Sequence, residues 1–295
     1  MSSKKIARLL PIFSGALWGL TGIFVRNLNS IGFDNPQITF FRCSLTALAL
    51  VIFLSVSDKR QLKIHPKDLW CFFGTGIVSV FSFSLFYFYT LMHSSISVAV
   101  ILTYTAPFFA MLFSAVLFGE KFTPAKVAAL IMATAGCFLL CKTDKNTVLT
   151  PIVIATGLLA GLTYALYSIF ARFVVKKYPP LVITAYTFIF ASAASAFCLD
   201  FKEVGSLISS SPSSVFILIA FAVVSALLPY VLLTIGLKYV KPGKAAILTT
   251  TEVLTASLCG VFFFHEKITA AGILGIILIL TAVILINIKL TVKKL

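Results

Sequence analysis

Apolar stretches recur along the chain, each closed by charge, proline or a polar cluster, at 7–26, 36–56, 69–91, 95–118, 125–141, 151–174, 180–199, 214–237, 243–264 and 269–288. A membrane-crossing helix needs roughly 20 apolar residues, whereas a barrel strand needs about ten. The pattern therefore predicts ten transmembrane helices in an all-α membrane protein. Ten such spans and their connections use up the 295 residues and leave no sizeable soluble domain.

Composition agrees. Sixty percent of the residues are hydrophobic and 11% are charged, and the mean hydropathy is +1.06. A soluble globular domain carries about 25% charged residues, so a water-soluble globule and a disordered chain are both excluded. The net charge of +15 would suit nucleic acid, but the 24 Lys and Arg stand in short groups between apolar stretches and read as topology signals, so no nucleic-acid partner is expected. With a cytoplasmic N-terminus, 18 of them fall on the inner side, including Arg8, Lys67, Lys126, Arg172, Lys177, Lys241 and Lys244. Five fall outside (Arg26, Lys142, Lys145, Lys202 and Lys267), and Arg42 lies within a span. This asymmetry predicts that both termini are cytoplasmic, in a multi-pass protein of the inner cell membrane. Cys43, Cys71, Cys137, Cys141, Cys198 and Cys259 lack CxxC spacing and acidic or His neighbours in ligand register. A structural role is expected of them, with no metal and no cofactor. No cleavable signal peptide is expected, because the first apolar run continues past Phe24.

An offset of 146 residues aligns Gly15, Leu20, Ile23, Phe24 and Arg26 with Gly161, Leu166, Ile169, Phe170 and Arg172, and puts Trp18 on Tyr164. The same offset matches Ala99, Ile101, Leu102 and Thr103 to Ala245, Ile247, Leu248 and Thr249, and Glu120-Lys121 to Glu266-Lys267. One constant shift in three places predicts two homologous halves, 1–145 and 146–295, of five helices each. Since five is odd, the halves must be inverted in the membrane. Inverted repeats place a binding site between the halves near the midplane, and rocking of one bundle against the other exposes it to each side in turn.

The pattern resembles the EamA-type, ten-helix branch of the drug/metabolite transporter superfamily. The residues that carry the resemblance are Gly15-Ala16-Leu17-Trp18-Gly19, Arg42, and Pro107 followed by an apolar run into Gly119-Glu120-Lys121-Phe122-Thr123. The second half has its counterpart from Glu252 into His265-Glu266-Lys267-Ile268-Thr269. The resemblance implies a carrier of amino acids, small metabolites or drugs through a central cavity, working either with proton coupling or as a facilitator. It also implies export as the direction. Val253 departs from the family pattern, which has Pro after this Glu, and leaves the ninth span without that kinking residue.

Glu252 is the sharpest candidate for chemistry. It lies about ten residues into its span, roughly 15 Å deep at 1.5 Å per residue. An intramembrane carboxylate costs about 2.5–3.5 kcal/mol and by default faces a bundle interior or a wet cavity. It is a candidate proton carrier or cation ligand; the plainer reading is a protonated side chain bonded to neighbours such as Thr249. Arg42, roughly 10 Å in from the outer end of its span, could pair with Glu252, divide a zwitterionic substrate with it, or snorkel outward. Trp18, Tyr87, Tyr104, Tyr164 and Tyr230 lie inside spans and suggest a partly wet aromatic cavity. Pro107 and Pro229 interrupt the fourth and eighth helices as gates or as static bends. Gly15 with Gly19, and Gly157 with Gly161, form faces for close helix packing. His65 and His93 read as solvated and His265 as an external helix end.

These readings favour a secondary transporter of small amphipathic metabolites, such as amino acids, embedded among membrane lipids as a monomer or weak dimer. A lipid flippase of the same fold is the alternative. An enzyme is not expected, since the chain has no HExxH, no GxSxG and no paired intramembrane carboxylates.

Overall fold

The computed structural model describes residues 6–94, 96–140, 150–199, 207–209, 211–264 and 269–288. The second-half motif His265-Glu266-Lys267-Ile268, Lys202, and the segment 141–149 with Cys141, Lys142 and Lys145 lie outside these residues. Among the described residues there are helices and no strand, and the helices occupy all ten apolar stretches. In chain order they are α1 (Leu10–Trp18), α2 (Thr21–Ile31), α3 (Asn35–Asp58), α4 (Leu69–Phe73, Gly74–Phe81 and Ser82–His93), α5 (Ile96–Thr103), α6 (Ala106–Phe118) and α7 (Pro124–Leu140). Then follow α8 (Pro151–Val174), α9 (Pro180–Ala196), α10 (Ser213–Ala222, Val223–Leu227 and Leu228–Leu237), α11 (Pro242–Leu248), α12 (Thr251–Phe264) and α13 (Ala270–Ile288). Among the described residues, five stretches are long and apolar enough to cross a membrane: Asn35–Leu62, Pro66–His93, Val98–Phe118, Pro151–Val174 and Ser213–Leu237.

Local chemistry sets the helix ends. Asp34 caps α3, accepting from the Gln37 amide while the Gln37 side chain accepts from the Asp34 amide, with Pro36 in the first turn. Thr150 accepts from the Val153 amide to open α8 ahead of Pro151. Gly119, in the left-handed region at φ +59°, stops α6.

The molecule is apolar outside, and its apolar interior also holds buried hydroxyls. Phe53, Ile131, Phe216 and Ile284 are exposed, whereas Ser14, Thr75, Ser114 and Thr187 are wholly buried. Lipid tolerates the exposed side chains, and the hydroxyls find partners inside. Thr187 donates to Thr75 at 2.6 Å and Ser14 to the Pro229 carbonyl at 2.8 Å.

Three predicted helices are divided by a tightened turn. The first stretch tightens at Gly19-Leu20, where the Leu20 amide reaches the Leu17 carbonyl, and its helix runs on to Ile31, beyond the expected end at 26. The fourth tightens at Tyr104-Thr105, so that Pro107 sits in the first turn of α6, where its missing N–H costs nothing. The ninth tightens at Thr249-Thr250 without any proline. There the threonine hydroxyls take the place of lost i→i+4 amides: Thr249 donates to Ala246, Thr250 to Ile247 and Thr251 to Leu248, each to the backbone carbonyl. The bend thus forms without a proline.

The apolar pattern gives no sign of two wide π-type turns that the structure contains. They span Gly74–Phe81 in α4 and Val223–Leu227 in α10. Under the 146-residue offset Phe81 falls on Leu227, so both end at matching positions. Wide turns leave carbonyls poorly bonded within the helix. The Ser82 hydroxyl donates to Ile77 O at 2.9 Å, and the Trp18 indole N–H donates to Ser225 O at 3.0 Å. The bend read at Pro229 lies just past the second wide turn.

Candidate functional site

The opening helix of each half packs by glycine against the tightened turn of the other half. A Cβ on Gly15 would stand 3.0 Å from the Thr249 carbonyl carbon, and one on Gly19 would stand 2.6 Å from Glu252 O. In the other half, a Cβ on Gly161 would stand 3.0 Å from both Leu102 O and Thr103 O. Thr251 ties the first clasp further by donating to Ile12 O at 2.8 Å. Only the absence of a side chain allows backbones to approach so closely.

Beside these clasps lies a narrow cavity of about 20 Å³, room for about one water. Trp18 of α1, Ser79 and Phe83 of α4, Tyr164, Tyr167 and Ser168 of α8, Tyr230 of α10, and Thr249 line it, so both halves supply its walls. The rings stand steeply inclined to one another. Trp18 meets Tyr164 at 5.8 Å and 61° and Tyr230 at 5.1 Å and 75°, while Tyr167 meets Tyr230 at 4.7 Å and 86°. Edge-to-face contacts of this kind hold an aromatic wall in place without filling the space it faces.

Glu252 lies in the first turn of α12, directly after the tightened turn. Tyr164 donates its hydroxyl to Glu252 Oε2 at 3.1 Å and thereby links the acid to the cavity wall.

Of the residues singled out from the sequence, Trp18, Tyr164, Tyr230 and Thr249 meet at this cavity, with Glu252 one hydrogen bond behind it. Tyr87 stands in the next layer, stacked on Phe83 at 5.4 Å and 20°. Tyr104 lies elsewhere, packed with Cys137, Val253, Leu254 and Ile279. Pro107 is buried in the first turn of α6, and Pro229 is buried within α10, just past its wide turn. The ion pairs among the described residues do not join Arg42 to Glu252; the Arg42 Nε is buried without a hydrogen-bond partner, and the side chain lies within electrostatic reach of Tyr230. His93 is exposed and stacks on Tyr89 at 4.1 Å. Among the described cysteines Cys43, Cys71, Cys137 and Cys259 are buried and Cys198 is exposed, all of them as free thiols.

Sequence reasoning does not single out Ser79, Phe83 or Ser168. Ser168 follows Tyr164 by four residues and so shares its face of α8, a signal that spacing alone supplies. Ser79 sits inside a wide turn, where α-helical spacing no longer tells which way a side chain points.

A second link between the halves lies apart from the cavity. Asp68, in the turn Pro66–Asp68, is bonded to both Lys177 and Tyr178. The hydrogen bond from its ammonium to the Asp68 carboxylate holds Lys177 above the usual lysine range. Tyr186 donates to Leu62 O at 2.7 Å alongside.

Comparison with known proteins gives these features a family. The sequence profile of the EamA-like transporter family matches the chain twice, over residues 5–141 and 151–288. A protein of Archaeoglobus fulgidus named as an uncharacterized transporter is 30% identical over 280 residues, covering 93% of each chain. The uncharacterized transporter YwfM of Bacillus subtilis is 24% identical over 285 residues, covering 96% of this chain and 94% of its own. A protein crystal structure superposes with a TM-score of 0.80 at 19% identity, over 97% of this chain and 98% of the other, and thereby shares the fold.

Proposed function

The chain belongs to the EamA-like transporter family, and from that premise we propose that it carries small amphipathic metabolites, amino acids or their relatives, out of the cell across the inner membrane. In this reading the two five-helix halves are inverted, both termini are cytoplasmic, and the halves rock about the aromatic cavity in alternating access. The observation that carries the reading is Glu252, set at a helix start behind the cavity wall and bonded to Tyr164, which lines that wall. A carboxylate so placed can hold a proton when the cavity is dry and release it when the cavity is wet, which would couple flux to a proton gradient. Arg42, within electrostatic reach of Tyr230, is the group proposed to meet a substrate carboxylate.

The test is flux of pooled labelled amino acids and small amines in proteoliposomes with and without a pH gradient. Wild type should accumulate a member of the pool under the gradient. Glu252→Gln should lose that accumulation at least tenfold and keep some exchange. Unchanged accumulation in the variant would overturn the coupling role, and movement of a leaflet lipid with no solute flux would replace the solute reading with the flippase one.

A further inference from the structure

We propose that Arg8, Lys126 and Lys244 form a pocket for the phosphate of an anionic phospholipid headgroup, at the end of the molecule where the sequence places the cytoplasm. The site is separate from the aromatic cavity and does not depend on the carrier reading.

The placement of the three cations comes first. One apolar cluster draws Ile12 of α1, Leu130 of α7, Leu248 of α11 and Ile286 of α13 together. Arg8 precedes Ile12, Lys126 precedes Leu130 and Lys244 precedes Leu248, each by about one helical turn. The cations therefore gather at one end of that cluster, and Arg8 and Lys126 lie within electrostatic reach of Lys244. Like charges so gathered repel one another unless anions stand among them.

The anions at hand fall short. Glu120 is the carboxylate within the same reach, and both of its oxygens are engaged. Oε1 pairs with Lys126 at 2.8 Å, and Oε2 accepts from Ser114. Lys244 is only 7% exposed, yet among the described residues its ammonium donates to Ile286 O alone, at 3.0 Å. An ammonium has three N–H groups to place. The Arg8 Nε is buried with no hydrogen-bond partner. Buried cationic donors short of acceptors are costly, and an anion with several oxygens satisfies them together. A phosphate does so for the fork of an Arg and the point charge of a Lys alike.

The surroundings favour a lipid as its source. α7 and α13 pack side by side, and Val127 and Ile131 of the one and Leu280 and Ile284 of the other are exposed. Acyl chains can lie along that surface while the headgroup reaches the cations. Basic pockets between helices on the cytoplasmic side hold anionic headgroups in this way. Arg8 and Lys126 come from the first half, and Lys244 and Ile286 from the second, so a bound headgroup joins the halves at this end.

The test is native mass spectrometry of the protein equilibrated in detergent with equal parts of phosphatidylglycerol and phosphatidylcholine. Wild type should retain phosphatidylglycerol at least tenfold over phosphatidylcholine, whose phosphate is cancelled by its own cation. Arg8→Gln should cut that preference at least threefold, and Arg8→Gln with Lys244→Met should bring it near one. Arg8→Lys, which keeps the charge, should retain most of it. Lys59→Gln with Arg60→Gln removes two exposed cations elsewhere at the same end and should leave it unchanged. Thermal midpoints show that each variant is folded, and Arg8→Gln alone carries the test if the double variant is not.

No preference in wild type would overturn the proposal. An equal loss in the Lys59 and Arg60 variant would reduce the effect to general surface charge and overturn it too. Displacement of the lipid by millimolar glycerol 3-phosphate would assign the pocket to a free phosphate and overturn the lipid. Loss of gradient-driven flux in Glu252→Gln with lipid retention unchanged is the expected independence of the two sites.

Discussion

The first and second halves share a frame and differ in their chemistry. Both have a tightened turn in the fourth helix of the half, at Tyr104-Thr105 and at Thr249-Thr250, and both have a wide turn in the third, ending at Phe81 and Leu227. Each opening helix lays a glycine, Gly15 or Gly161, on the other half's tightened turn. Yet the position of Glu252 is Ala106 in the first half, and that of Arg42 is Phe188 in the second. The opening helices differ as well. α8 runs unbroken from Pro151 to Val174, whereas its partner is divided into α1 and α2 at Gly19-Leu20. The backbone devices that let the halves fit one another are duplicated, and each ionisable group of the site stands in one half only. Fit is a property of the repeat; chemistry is a property of what each half acquired alone.

The glycine clasps give the largest expected effect. Gly15→Ala pushes a Cβ onto backbone atoms of the other half, and Gly161→Ala does so towards Leu102 and Thr103. Each should destabilise at the upper end of the about 1–3 kcal/mol range for overpacking. Gly22→Ala, which meets nothing within 4 Å, should be neutral or slightly stabilising. Thermal unfolding in detergent measures all three, and tolerance of either clasp substitution would break the shared-frame half of the comparison.

Next in size are the matched aromatics. Trp18→Phe takes away the donor to Ser225 O and should cost about 1–3 kcal/mol of stability, the penalty for a buried acceptor left without a partner. Tyr164→Phe takes a donor from the Glu252 carboxylate and should cost stability on the same scale, while lowering gradient-driven flux several-fold. Parallel measurement of unfolding midpoint and flux would sharpen the contrast between the two rings; a loss of flux no larger than that of Trp18→Phe would erase it.

The smallest effect belongs to the exposed link. Lys177 is raised by Asp68, so the link stabilises fully below the ordinary lysine pKa of about 10.4 and fades as pH climbs through the raised value. Asp68→Asn should lower the unfolding midpoint slightly at neutral pH, and the difference from wild type should close at strongly alkaline pH. A gap that persists there would mean that the Lys177 ammonium does not carry the link.

Much of this is legible in the sequence, and the exceptions have a common cause. The ten helical stretches follow from apolar run lengths, and Gly15, Gly19, Gly157 and Gly161 announce close packing through their spacing. Trp18, Tyr164 and Tyr230 stand out as polar-tipped rings where a span should be plain hydrocarbon. What the sequence hides is most of the changes of helical pitch, the one beside Pro107 excepted. Tyr104 looks like a cavity residue only if its helix keeps one phase throughout, and the tightened turn at Tyr104-Thr105 re-aims it into the cluster with Cys137 and Ile279. Ser79 is hidden by a wide turn in the same way. Proline is a poor guide to such places, since Thr249-Thr250 bends without one and hydroxyl bonds to carbonyls serve instead.

The wide turns also bear on how the chain can change in length. A π-type turn holds more residues than an α turn over a similar rise. Elsewhere on α4 or α10, losing one residue would rotate all that follows by about 100° and carry Phe83 or Tyr230 off the cavity wall. Within Gly74–Phe81 or Val223–Leu227 the loss can be absorbed by narrowing the turn. These two segments are therefore the slack in the third helix of each half, where an insertion or deletion leaves the faces on either side pointing as before.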